Sequence, residues 1–144
     1  NTEYVCENNN STCWWDIVPL INYVIDSKHP IITTASGICS NSFILLLATG
    51  TKGKRYIYDN TMIAISEFKT NGGLRGTKAS QDDAIENYKR LKEMIVKILK
   101  KHTNIPNSIY KDIFDKPINI TPQDAKKWGI VDKILRKTSN KIDD

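Results

Sequence analysis

Two side chains in this 144-residue chain, His29 and His102, have an ordinary pKa near neutrality, so a mechanism that needs an imidazole base must use one of them. Cys6, Cys13 and Cys39 are an odd number with no CxxC pair. Their spacing suggests neither a zinc site nor a disulfide framework, and no metal or cofactor is expected. The most interesting hydroxyls are Ser40 and Ser42, in the small-residue run Ser36-Gly37-Ile38-Cys39-Ser40-Asn41-Ser42. That run follows a β-branched segment and leads into an apolar one, as where a strand turns into a helix. Such a turn sets a residue at a helix N-terminus, whose N–H groups and dipole stabilise an anion or a nucleophile. His29 lies in the Lys28-His29-Pro30 turn, and His102 ends a long helical pattern, where a cation complements the dipole. Both histidines are read as structural.

The elements that must position these groups follow from periodicity. Trp14, Ile17, Val18, Ile21, Val24 and Ile25 recur at three- and four-residue steps, predicting an amphipathic helix over 14–25 offset by Pro19. Residues 31–35 read as a buried strand, 36–42 as a turn, and 43–49 as a buried helix stopped by Gly50. Short strands at 56–58 and 62–65 follow the Lys52-Gly53-Lys54-Arg55 turn, and a loop containing Gly72, Gly73 and Gly76 comes next. From 79 to 101, Ala84, Ile85, Tyr88, Leu91, Met94, Ile95, Ile98 and Leu99 keep helical spacing. One apolar stripe covers less than half of that helix, so part of it is expected to project and pack on another subunit. Shorter helices are predicted over 107–114 and 121–127, the second with Thr121 as cap, Pro122 at the first position and Asp124 in a capping box. Residues 130–135 close the core. Tyr4-Val5 read as a short strand before an Asn-rich loop at 8–12, and 137–144 as a polar tail, leaving one domain over 1–136. Strands alternating with helices indicate an α/β fold with a mainly parallel sheet.

Composition narrows the function classes. With 40% hydrophobic and 26% charged residues, a chain of this length forms a core without staples. A net charge of +5 could attract phosphates. Yet Lys89, Lys92, Lys97, Lys100 and Lys101 share a segment with Asp82, Asp83, Glu86 and Glu93, which reads as a solvated helix face, so no nucleic-acid partner is expected. The longest apolar run, 43–48, falls well short of the roughly 20 residues that cross a bilayer, so no membrane partner is expected. The chain opens on Asn rather than Met, as a mature form or a fragment does.

The motifs are more specific. Gly37-Ile38-Cys39-Ser40-Asn41-Ser42-Phe43, then Leu47-Ala48-Thr49-Gly50-Thr51-Lys52-Gly53-Lys54-Arg55-Tyr56, then Asp59-Asn60-Thr61-Met62-Ile63-Ala64-Ile65, closely resemble the proteolytic subunit of the Clp protease, ClpP. Gly72-Gly73-Leu74-Arg75-Gly76, the long helix, His102-Thr103 and the stretch from Ala125 to Gly129-Ile130-Val131-Asp132 continue the resemblance in order. It implies a crotonase-like ββα superhelix with a projecting handle helix. It also implies heptameric rings, formed with itself and a ClpP-like paralogue, that pair through the handle and are fed by an ATP-dependent Clp unfoldase. The implied compartment is cytoplasm or an organelle matrix, plastid-type stroma included. The family's N-terminal helix, pore loops and early strands are expected to lack counterparts before Tyr4.

ClpP is a serine peptidase with a Ser-His-Asp triad, in which imidazole takes the serine proton and the carboxylate orients the ring. By the resemblance, its nucleophile lies four residues after the turn glycine and nine before the glycine ending the helix. Counted from Gly37 and from Gly50, both land on Asn41. An amide has no oxygen for a base to activate. The histidine position corresponds to Ser66 and the acid to Asp115, beside Lys116-Pro117; the oxyanion-hole equivalents are Asn9, Asn10 and Ser42. Losing base and nucleophile together removes nearly all triad-dependent rate, so the expectation is a non-catalytic subunit with a structural or regulatory role. Two alternatives stay open. One is a peptidase with a displaced nucleophile at Ser40 or Ser42 served by a lysine, and the other an acyl-CoA enzyme or binder of the wider crotonase class.

Overall fold

A computed structural model describes residues 14–66, 77–113 and 115–136. In chain order its elements are α1 (Trp14–Asp26), β1 (Thr33–Ala35), β2 (Ile38–Ser40), α2 (Ser42–Thr49), β3 (Arg55–Tyr58), β4 (Met62–Ile65), α3 (Lys78–His102), α4 (Asn107–Asp112), β5 (Ile118–Ile120), α5 (Pro122–Lys127) and β6 (Lys133–Leu135). The strand expected at Tyr4-Val5, the loop at 8–12, the loop with Gly72, Gly73 and Gly76, and the tail at 137–144 lie outside the described residues.

The strands form two three-stranded sheets, ordered β1-β3-β6 and β2-β4-β5. Every pairing is parallel except β4 with β5. Although β3 and β4 are neighbours in sequence, they enter different sheets, so the intervening Asp59-Asn60 turn is a crossing between sheets rather than a hairpin. Two expectations change here. The predicted turn at 36–42 contains β2, and Ile31-Ile32 stay outside β1, with Ile32 60% exposed. β5 falls between the helices predicted over 107–114 and 121–127, where the sequence pattern assigns no element. Both β2 and β5 are three residues long, and they owe their conformation to pairing with β4 rather than to local pattern.

Between these strands α2 is apolar on all sides, and it is buried accordingly: Ile44, Leu45, Leu47 and Ala48 are each no more than 4% exposed. Its end lies so close to β1 that a Cβ on Gly50 would collide with the Thr33 side chain, whose Oγ1 donates to Leu47 O at 2.9 Å. The core continues through Ile57 and Ile63 and is closed by Ile130 and Val131, as expected from the sequence.

An ion pair between a buried guanidinium and a partly buried carboxylate joins segments far apart in the chain. Arg55, 3% exposed, donates from Nη2 to Asp132 Oδ1 at 2.6 Å and from Nε to Oδ2 at 2.9 Å. The same Oδ2 accepts the Gly53 and Arg55 backbone N–H groups, at 2.7 and 3.1 Å. Gly53 presents its N–H from φ +87°, where a side chain is strained. The remaining guanidinium nitrogen, Nη1, bonds Ala48 O and His102 O, each at 3.1 Å. One side chain thus ties β3 to the ends of α2 and α3 and to the approach to β6.

α3 starts at Thr77, whose Oγ1 accepts from Ser80 N at 3.3 Å, and its 25 residues span about 37 Å at 1.5 Å per residue. Its buried residues are Leu91, Ile95 and Leu99, all in the C-terminal half, while no residue of 78–90 is buried. That agrees with the expectation that part of it projects. The Thr121 cap is present, with Oγ1 accepting from Asp124 N at 3.1 Å, but the Asp124 carboxylate accepts the Thr121 hydroxyl at 2.8 Å instead of reaching the cap's N–H. No helix among the described residues is long and apolar enough to cross a membrane.

Candidate functional site

The candidate site follows from the β2–β4 register. These strands run parallel with Ser40 opposite Ala64, so the residues following each emerge at the same sheet edge. Asn41 N donates to Ala64 O at 3.0 Å, and Ser66 N donates to Asn41 Oδ1 at 2.9 Å. Asn41, reached by counting from Gly37 and Gly50, and Ser66, given by the resemblance, are hydrogen-bonded neighbours.

Asn41 stands at φ 51°, ψ −121°, a region that asparagine rarely occupies and that costs of order 1–3 kcal/mol. Its own carbonyl accepts from Ile44 N at 3.1 Å, opening α2 directly behind it. A sharp strand-to-helix turn with a strained residue at its apex is the geometry that exposes a nucleophile in serine hydrolases. Here the apex carries a carboxamide, whose oxygen is occupied by the Ser66 N–H.

The remaining candidate residues are placed differently. β5 runs antiparallel to β4 with Ile118 opposite Ile65, so Pro117 falls one step on, beside Ser66, and Asp115 lies beyond it. The Asp115 carboxylate accepts from Lys92 Nζ at 2.9 Å and from the Tyr88 hydroxyl at 3.2 Å, both on α3. The Lys92 hydrogen bond holds it below the usual carboxylate range. Among the described residues it makes no hydrogen bond to Asn41 or Ser66. Ser42, the first residue of α2, is 1% exposed, and its Oγ has no hydrogen-bond partner among the described residues. Ser40 is half-buried in β2. Asn9 and Asn10 lie outside the described residues.

Neither histidine joins this edge through a hydrogen bond. His29 is exposed and its N–H bonds Ser27 Oγ at 3.1 Å. His102 ends α3; burial pushes its imidazole below the ordinary value, and Lys101 and Arg55 push the same way.

The pattern of the Clp protease family matches residues 14–138. The chain belongs to the Clp protease family. It is 29% identical over 118 residues to a protein of Cyanophora paradoxa described as ATP-dependent Clp protease proteolytic subunit-like, covering 81% of this chain and 58% of the relative. The ATP-dependent Clp protease proteolytic subunits of Deinococcus radiodurans and Dehalococcoides mccartyi are 27% identical over 111 residues and 30% over 114. Those alignments cover 77% and 79% of this chain, and 53% and 56% of the relatives. The chain thus spans little more than half the length of the relatives it matches.

The Clp-family motifs also have a physical reason that the sequence alone did not reveal. The Gly50-Thr51-Lys52-Gly53-Lys54-Arg55 stretch ends at Arg55 and the Gly129-Ile130-Val131-Asp132 stretch ends at Asp132, the two partners of the ion pair. Both stretches were singled out for resemblance. The signal that could have joined them was the opposite charge at their last residues.

Proposed function

We propose that this Clp-family chain is a non-catalytic ClpP-like subunit with a structural or regulatory role in an ATP-dependent Clp protease. It enters heptameric rings with itself and with an active paralogue, and those rings dock an ATP-dependent unfoldase. On this reading the elements follow the crotonase-like ββα superhelix, α3 is the handle through which rings pair, and the compartment is cytoplasm or an organelle matrix such as plastid-type stroma.

The observation that carries the reading is Asn41. The strained strand-to-helix turn is retained, yet its apex offers an amide oxygen already bonded to the Ser66 backbone. A triad needs a hydroxyl whose proton an adjacent imidazole removes, and neither group stands at this pair. The burial of Ser42 also counts against a displaced nucleophile, since a hydroxyl 1% exposed meets no peptide carbonyl. Lys92 is engaged by Asp115 and Lys116 by Asp112.

The test of assembly is native mass spectrometry of the complex co-purified with the full-length protein. Rings containing this chain together with a catalytic relative are expected. Recovery of the chain solely as a monomer, with no Clp subunit bound, contradicts the reading.

A further inference from the structure

A polar concavity lies at the C-terminal end of α3, and neither Asn41 nor Ser66 lines it. It encloses about 320 Å³ and is lined by Lys52, Lys101, His102 and Lys126 around the Arg55–Asp132 pair. Basic residues in a last helical turn ordinarily complement the carbonyl end of the dipole. Here that role is already filled. Leu99 O accepts from Thr103 N at 2.8 Å and from Thr103 Oγ1 at 2.7 Å, and His102 O accepts from Arg55.

The charges in the cleft are also unevenly matched. Asp132, its one carboxylate, is fully engaged by Arg55. Lys100 sits over the Tyr110 ring, 5.3 Å from the centroid. Lys52, Lys101 and Lys126 have no carboxylate partner among the described residues. His102 Nε2 is buried in the same wall without a hydrogen-bond partner. Three ammonium groups without carboxylate partners around one concavity make it a site for an anion. A lone carboxylate is best met by a bidentate guanidinium, and the guanidinium here is taken. Lysines serve as point charges that suit phosphate oxygens. The volume, at the lower end of small-ligand pockets, suits a small molecule.

We propose that this cleft binds a small ligand carrying two or more linked phosphates, held by Lys52, Lys101 and Lys126. The proposal is independent of whether the chain is catalytic. Inorganic pyrophosphate and ADP are the probes, titrated calorimetrically into the full chain at fixed ionic strength. Saturable binding is expected, with Lys101→Gln and Lys126→Gln each weakening it by at least about tenfold, the scale of a lost charged hydrogen bond. Lys97→Gln, an exposed α3 position outside the cleft, is expected to leave affinity unchanged and serves as the charge control. Similar affinity for both probes assigns the site to the free anion; at least about tenfold tighter ADP binding assigns it to a nucleotide. Absence of saturation overturns the proposal, as does equal weakening by Lys97→Gln and Lys101→Gln.

Discussion

Asn41 is held at φ 51° between its own N–H bond to Ala64 and the Ser66 N–H bond to its side chain. Replacing it separates backbone strain from side-chain bonding. Both Asn41→Ala and Asn41→Gly lose the Oδ1 bond, but only alanine must still carry a Cβ at a positive φ. Asn41→Ala is therefore expected to lower unfolding free energy by about 1–3 kcal/mol and Asn41→Gly by clearly less, measured by denaturant unfolding. Equal losses contradict the strained turn. At this scale the sequence was legible where counting from glycines sufficed, since Gly37 and Gly50 fix the ends of one turn and one helix. It was illegible for the partners of Asp115, because Lys92 and Tyr88 lie more than twenty residues away and reach it only once the chain is folded.

The elements are tied by Arg55 and Asp132, and the consequence appears in the pH dependence. The Arg55 hydrogen bond, with the backbone N–H groups of Arg55 and Gly53, holds the Asp132 carboxyl below its ordinary value. A depressed folded-state pKa contributes stability that is present above the unfolded value, about 3.9, and is lost as pH falls through the folded one. Asp132→Asn is expected to cost about 1.5–3 kcal/mol at neutral pH, because the buried Arg55 guanidinium loses its charged acceptor while keeping its bonds to Ala48 O and His102 O. The gap from wild type narrows as pH falls below about 4. Unfolding midpoints across pH test this, and a gap independent of pH contradicts it. Long periodic elements were readable: α1, α2 and α3 lie within a residue or so of their predicted bounds. The short strands β2 and β5 were not, since three residues carry too little pattern and their pairing with β4 decides their state.

At the scale of the molecule, α3 buries one half and leaves the other without a buried residue, as its single stripe predicted. The α/β class was equally legible, because alternating strands and helices leave few other solutions. The division of the strands into two sheets was not, since the short link between β3 and β4 reads locally as a hairpin. The central claim is that this architecture presents a peptidase-like turn without peptidase chemistry. Its most direct test is intact-mass spectrometry of the full-length protein, in its native complex, after exposure to a serine-directed fluorophosphonate. The account predicts that this chain keeps its unmodified mass while a catalytic partner in the same complex gains the adduct. A stoichiometric adduct mapping to Ser40 or Ser42 of this chain contradicts it.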